Sequence, residues 1–327
     1  MSDTIDLIGV GSPVVDVLAH VQEDFVADID GGKGGMELVD SATLESLVGK
    51  LDETPAKAAG GSAGNTAFAA GRIGTKVAFI GKIGNDDDAA FYKSRFADIG
   101  ADLTRFKEGD CANARCLSLV TPDSERTMRT DLGAAMTLTP EEISVDDFTG
   151  ARHVHMEGYL LFNRDLMLQV LKCAKEAGCT TSLDMASFEV VKASEDILKD
   201  WLTEYIDIVF ANEDEASAFF PDLGDDYEAM AKGFAEICDI AAVKLGKDGS
   251  LVAQNGEVTF IEPVVVDKAI DTTGAGDYWA GGFLNAWLQG KELKECGRYG
   301  SILGAEVVQV LGASLAEERW NELQSEM

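Results

Sequence analysis

The sequence predicts an α/β protein: a doubly wound, mostly parallel sheet with helices on both faces, plus a small β lid. Three observations carry that expectation. Short apolar runs of strand length alternate with stretches of helical periodicity. Two segments break that rhythm with strand-like pieces and no crossover helix between them. No internal repeat, low-complexity linker or Pro-rich hinge divides the chain, which has only 6 prolines in 327 residues.

The strand-like runs are 5–10 (IDLIGV), 76–81 (KVAFIG), 152–156 (RHVHM), 180–184 (TTSLD), 207–211 (DIVFA) and 240–245 (IAAVKL). Between them, helical periodicity spans 62–73, 86–98, 165–177, 213–220 and 227–237, and the chain reads as helical from 276 onward. Alternation of this kind implies parallel strands covered on both faces, with ligands bound beyond the carboxyl ends of the strands. The two segments that break the pattern, about 12–40 and 101–130, hold PVVDVLAHV and RCLSLVT and are expected to form the lid. Residues 1–327 therefore read as one domain with a projecting lid.

Charge excludes several functions. There are 27 Lys and Arg against 58 Asp and Glu, a net charge of −31. Such a chain repels nucleic acid and anionic membrane surfaces at long range, so a phosphorylated ligand needs a local trap. No apolar run is long enough to span a bilayer, and the N-terminus has no basic, then apolar, leader pattern. Six cysteines are scattered without a Cys-x-x-Cys, which fits a reducing cytoplasmic setting and small buried side chains.

The glycines locate the expected trap. In residues 269–284, Asp271-Thr272-Thr273-Gly274-Ala275-Gly276-Asp277 forms a Gly-broken turn leading into a long helical stretch. Such a turn leaves the N–H groups of Thr273 to Gly276 at a helix N-terminus, where the macrodipole favours an anion. Asp277 falls in the first turn, where a carboxylate stays ionised and can accept a hydroxyl proton while the amides neutralise a phosphoryl group. As a plain alternative, Asp277 caps the helix. A second Gly-rich turn, Gly60-Gly61, opens a helix of small residues with Asn65 in its first turn, and reads equally as a tight structural turn or as a ligand site. A Walker-type loop is absent, since no Gly-x4-Gly-Lys occurs. Gly9-Val10-Gly11 is followed by Pro13 and Val14 and is a poor dinucleotide fingerprint.

The stretch 271–277, with Gly60, Gly61 and Asn65, resembles the ribokinase-like, phosphofructokinase-B carbohydrate kinases along essentially the whole chain. Gly11-Ser12-Pro13-Val14-Val15-Asp16 and Glu125-Arg126-Thr127-Met128 look most like the adenosine-kinase branch. The resemblance implies Asp277 as catalytic base and Gly274, Ala275 and Gly276 as the anion hole. It implies Asp16, Gly60, Gly61 and Asn65 as the pocket for acceptor hydroxyls, with Arg126 a lid arginine that reaches bound phosphate. Asn212 and Glu215 match an Asn-x-x-Glu element that organises Mg²⁺ and phosphate, partly through water. Lys244, Gly246 and Gly249 match a Thr-x-Gly-x-x-Gly loop near ATP, with Lys244 in place of the common Thr. Thr273 adds to the ATP site, and Asp271 with Thr273 coincides with a monovalent-cation (K⁺) site of some members.

Other residues invite weaker readings. His153, His155 and Glu157 alternate on one strand face and fit structural polar groups better than a metal site, with Glu157 near the phosphates. Phe25, Met36, Phe162 and Phe188 are candidates for an apolar slot, although core packing suits each. The expectation is an ATP- and Mg²⁺-dependent kinase acting on a primary hydroxyl, first of adenosine and otherwise of a free sugar such as ribose or fructose, as monomer or homodimer. A non-catalytic sugar or nucleoside sensor and an NAD-dependent oxidoreductase are the competing classes.

Overall fold

The computed structural model describes residues 4–123 and 125–327. Eight strands form the main sheet in the order Glu257–Ile261, Ser250–Gln254, Ile240–Lys244, Ile208–Asn212, Thr180–Asp184, Ala151–Glu157, Ile5–Val10 and Val77–Ile80. All six expected strands lie here, side by side and parallel. The two edge strands, Ser250–Gln254 and Glu257–Ile261, join antiparallel. They were not foreseen, although Asn255-Gly256 between them is the strongest short hairpin signal, and both residues take positive φ, 53° and 79°.

The parallel strands are apolar throughout because both faces are covered. One face, with Ile8, Val154, Leu183, Val209 and Val243, packs against the helices Arg164–Glu176, Glu195–Tyr205 and Tyr227–Ala235. The other, with Leu7, Phe210, Ala242 and Val252, meets Ala275–Leu288 and Leu293–Val307. Alternate residues of one strand thus serve two cores.

A second sheet of five strands runs in the order Gly35–Leu38, Arg126–Asp131, Arg115–Val120, Val15–His20 and Ala56–Ala59. Both expected segments, 12–40 and 101–130, contribute to it. The strand Ala56–Ala59 was missed because AKAA has none of the β-branched or aromatic residues that mark strands; its pairing with Val15–His20 places it. This sheet has its own small core of Val17, Val26, Leu44, Leu117 and Leu119, under the unforeseen helix Ser41–Val48.

Candidate active site

Four adjacent parallel strands end on polar side chains: Glu157, Asp184, Asn212 and Lys244. Register places Glu157 beside Asp184 and Asn212 beside Lys244. These ends face the start of the helix Ala275–Leu288, which begins after Gly274 in the left-handed conformation (φ 74°). A side chain there would be strained and would press on Ala313 Cβ at 3.0 Å.

The loop 271–274 uses part of its own hydrogen-bonding capacity. The Thr273 N–H donates to Asp271 Oδ1 at 3.0 Å and the Ala275 N–H to the Thr272 carbonyl at 3.2 Å. The anion hole is therefore narrower than the expected Thr273-to-Gly276 set. Within 271–277, the N–H groups of Thr272, Gly274, Gly276 and Asp277 meet no acceptor among the described residues. Unsatisfied first-turn amides at the positive end of a helix attract an anion.

Asp277 is partly exposed beside those amides. Ser62 Oγ donates to its Oδ1 at 2.8 Å and Asn65 Nδ2 to its Oδ2 at 2.9 Å. Asp277 is therefore not simply a helix cap; its carboxylate is oriented from a second helix, Ser62–Arg72. Burial and the nearby Asp184 push its carboxyl up to about 6, against the two hydrogen bonds and Lys244, which favour the ionised form.

Asp16, on Val15–His20, lies close enough to Gly60 that a Cβ there would meet its Oδ2 at 2.5 Å. Burial raises its carboxyl to about 7, with Arg126 opposing and Asp271 and Asp277 adding to the rise. Gly61 (φ 81°) turns the chain into the helix that carries Asn65, so Asp16 beside Gly60 and Asp277 beside Asn65 come close enough for their charges to interact.

Arg126 lies on the strand Arg126–Asp131 of the second sheet. Its Nη1 donates to both oxygens of Asp271, at 3.0 and 3.1 Å, and its Nη2 to Ser118 Oγ at 2.5 Å. It ties the second sheet to the loop before the helix. Asp271 also accepts from Thr273 Oγ1 at 2.7 Å and the Gly312 N–H at 2.9 Å. Both its oxygens accept hydrogen bonds, and the Arg126 guanidinium meets its charge.

Asn212 and Glu215 form a reciprocal cap on the helix Glu213–Phe219: the Asn212 side chain accepts from the Glu215 N–H, and Glu215 accepts from the Asn212 N–H at 2.8 Å. Burial and Asp184 hold the Glu215 carboxyl above its ordinary range. The cap and the functional reading thus share the same atoms. No group of three or more His, Cys, Asp or Glu among the described residues could hold a metal. A buried carboxylate short of positive charge fits Mg²⁺ that keeps its waters and binds mainly to nucleotide phosphates.

Lys244 Nζ donates to Asp184 Oδ2 at 2.7 Å, both side chains nearly buried. Asp184 is a site residue that sequence reading passed over. The available signal was its place as the polar last residue of an apolar strand. Gly246 and Gly249 lie on the turn after Lys244, with Gly246 exposed and Gly249 buried.

Glu157 is a tether, buried and accepting from the N–H groups of Ser12 at 2.9 Å and Ala63 at 3.1 Å. His153 and His155 share Ser182 Oγ at 2.8 Å within the sheet. Phe25 packs in the second sheet's core, while Phe162, ending the short helix Gly158–Phe162, and Phe188, opening the helix Phe188–Ala193, stay 65% and 40% exposed, and Met36 lies exposed on the second sheet's edge.

Open first-turn amides at a helix terminus with an oriented carboxylate beside them fit a phosphotransferase with an alcohol group as acceptor. The chain belongs to the pfkB family of carbohydrate kinases, whose model matches residues 39–320. An adenosine kinase of Saccharomyces cerevisiae is 26% identical over 97% of this chain and 98% of its own. An ATP-dependent ribose-1-phosphate kinase of Halopiger xanaduensis is 30% identical over 75% of this chain and 79% of its own. The crystal structure of adenosine kinase from Sinorhizobium meliloti superposes with a TM-score of 0.88 at 28% identity, covering 99% of this chain and 100% of that one. The fold is ribokinase-like, as the motifs led one to expect, and the protein is a sugar or nucleoside kinase of this family. Among the described residues, no helix is long and apolar enough to cross a membrane.

Proposed function

We propose that the protein phosphorylates the primary hydroxyl of adenosine, forming AMP from ATP with Mg²⁺. The observation that carries the phosphotransfer is Asp277, a carboxylate aligned by Ser62 and Asn65 next to the open amides of Gly274 and Gly276. The ionised Asp277 takes the acceptor hydroxyl proton as the acceptor oxygen bonds to the γ-phosphorus. The bond from that phosphorus to the β,γ-bridging oxygen breaks, and ADP leaves with the electron pair. Asn212 and Glu215 would hold Mg²⁺ through water, and the ion would neutralise phosphate charge.

The acceptor end favours a neutral polyol. Once ionised above about pH 7, Asp16 adds negative charge, and Arg126, the cation acting on it, is paired with Asp271. A phosphorylated acceptor such as ribose 1-phosphate would meet uncompensated carboxylate there. Vicinal ribose hydroxyls instead suit a short carboxylate acceptor. Near full-length likeness to adenosine kinases supports adenosine among neutral polyols. Closure of the second sheet as a lid would exclude water.

The test is ADP release from the full chain with MgATP and adenosine, ribose, fructose or ribose 1-phosphate. Adenosine should give the highest kcat/KM, and Asp277→Asn should lower kcat about 1,000-fold. A free sugar as the best acceptor would replace adenosine, and turnover indifferent to Asp277→Asn would remove the base.

A further inference from the structure

The trap for a triphosphate stands in an unfavourable setting. The chain carries −31 overall, and Asp184, Glu215 and Asp277 converge on the same end of the sheet. Amides at one helix terminus amount to about half a positive charge, too little to offset those carboxylates. Lys244 is the cation whose full charge acts on Asp277 and Glu215.

Its geometry places that charge at the hole. Lys244 ends the strand Ile240–Lys244, and its Nζ lies 3.0 Å from the position a Cβ on Gly276 would occupy. The ammonium thus rests against the backbone whose N–H opens to the anion. An ammonium has three donors, and Asp184 Oδ2 is its one hydrogen-bond acceptor among the described residues. Asp184 Oδ1 is separately held by the Ala186 N–H at 2.9 Å, so this counterion stays fixed if the lysine turns away.

We propose that Lys244 is a catalytic residue of the phosphoryl transfer, held in readiness by Asp184 and donating to a γ-phosphoryl oxygen when a nucleoside triphosphate binds. The proposal rests on the kinase reading above and assigns the lysine a specific target, the γ- rather than the α- or β-phosphate. No bond to Lys244 forms or breaks. It balances the charge that spreads over the phosphoryl oxygens as the group passes to the acceptor. Asp184 keeps the ammonium buried and charged until then, since burying it unpaired would be costly.

The experiment uses the full chain with Lys244→Met, Lys244→Arg and the double variant Lys244→Met with Asp184→Asn, which removes the orphaned carboxylate if the single variant fails to fold. Titration calorimetry with ADP and with a non-hydrolysable ATP analogue reads the γ-phosphate contact directly. The wild type should bind the analogue more tightly than ADP. Lys244→Met, or the double variant, should abolish that preference while ADP affinity stays within about 3-fold. Turnover should fall about 100-fold with acceptor KM little changed, and Lys244→Arg should recover part of it. An intact preference for the analogue in Lys244→Met, or equal losses for both nucleotides, would overturn the assignment. Wild-type nucleotide binding without turnover of any acceptor would sink the kinase reading alone, leaving the γ-phosphate contact to be judged by calorimetry.

Discussion

Asp277 sits between opposing influences, and its reactivity follows from their balance. Burial and Asp184 favour the neutral acid, while Asn65, Ser62 and Lys244 favour the carboxylate, leaving it at about 6. A base acts only when ionised, so kcat/KM should fall along an acid limb centred near pH 6. Asn65 stabilises the ionised form by its 2.9 Å hydrogen bond, and removing it raises the carboxyl further. In Asn65→Ala the limb should move to higher pH, with activity at pH 8 less affected than at pH 6. A pH–rate profile of both proteins decides this; an unmoved limb would show that Asn65 does not tune the base.

The alignment of Asp277 depends on two helices lying unusually close. Ser62–Arg72 is built from Ala, Gly and Thr for much of its length, and Ala275–Leu288 meets it with Gly281. A Cβ on Gly281 would stand 2.8 Å from the Thr66 carbonyl oxygen and 2.9 Å from Ala69 Cβ. In an open helix, Gly→Ala stabilises by up to about 1 kcal/mol. Here the overpacking costs about 1–3 kcal/mol, against backbone that cannot turn aside. Gly281→Ala is therefore expected to destabilise by about 1 kcal/mol on balance, by urea titration, and to separate Asp277 from Ser62 and Asn65. The kinetic mark is a fall in kcat larger than the change in acceptor KM. A stabilised variant with full turnover would show that the helices tolerate more separation than the packing implies.

Across the whole molecule, buried carboxylates dominate the pH response near neutrality. Asp16 and Glu157 stand at about 7 and Asp277 at about 6, each raised first by burial. A raised carboxyl means the folded state holds protons that the unfolded chain has released between about pH 4 and 7. Stability contributed by these groups is present at low pH and is lost as pH rises through 7. His155, depressed to about 4 by burial, and His153, also depressed, act oppositely once the unfolded histidines protonate below about pH 6.5. Above that pH the carboxylates prevail, and relief of the −31 charge adds in the same direction. The melting temperature, at fixed ionic strength and without nucleotide, should therefore rise as pH falls from 8 to 6.5. A flat or falling trend would mean these carboxyls are not held protonated in the fold.

The six parallel strands, most of the helices, and the loop that ends on Asp277 were legible in the sequence, because each is fixed by a local pattern: an apolar run, a 3.6-residue period, or a Gly-broken turn at a helix start. Asn255-Gly256 was equally legible, and was passed over for want of a strong strand signal before it. What the tertiary structure decided was which groups meet across distant positions. Asp184 and Lys244 are 60 residues apart and pair because their strands, on either side of Ile208–Asn212, end together at the carboxyl end of the sheet. Arg126 and Asp271, 145 residues apart, close on each other and join the second sheet to the loop before the helix. Local sequence sets the torsions and periodicities of each segment. The charge that a side chain faces depends on strand order and on how the two sheets dock, and no local pattern contains either.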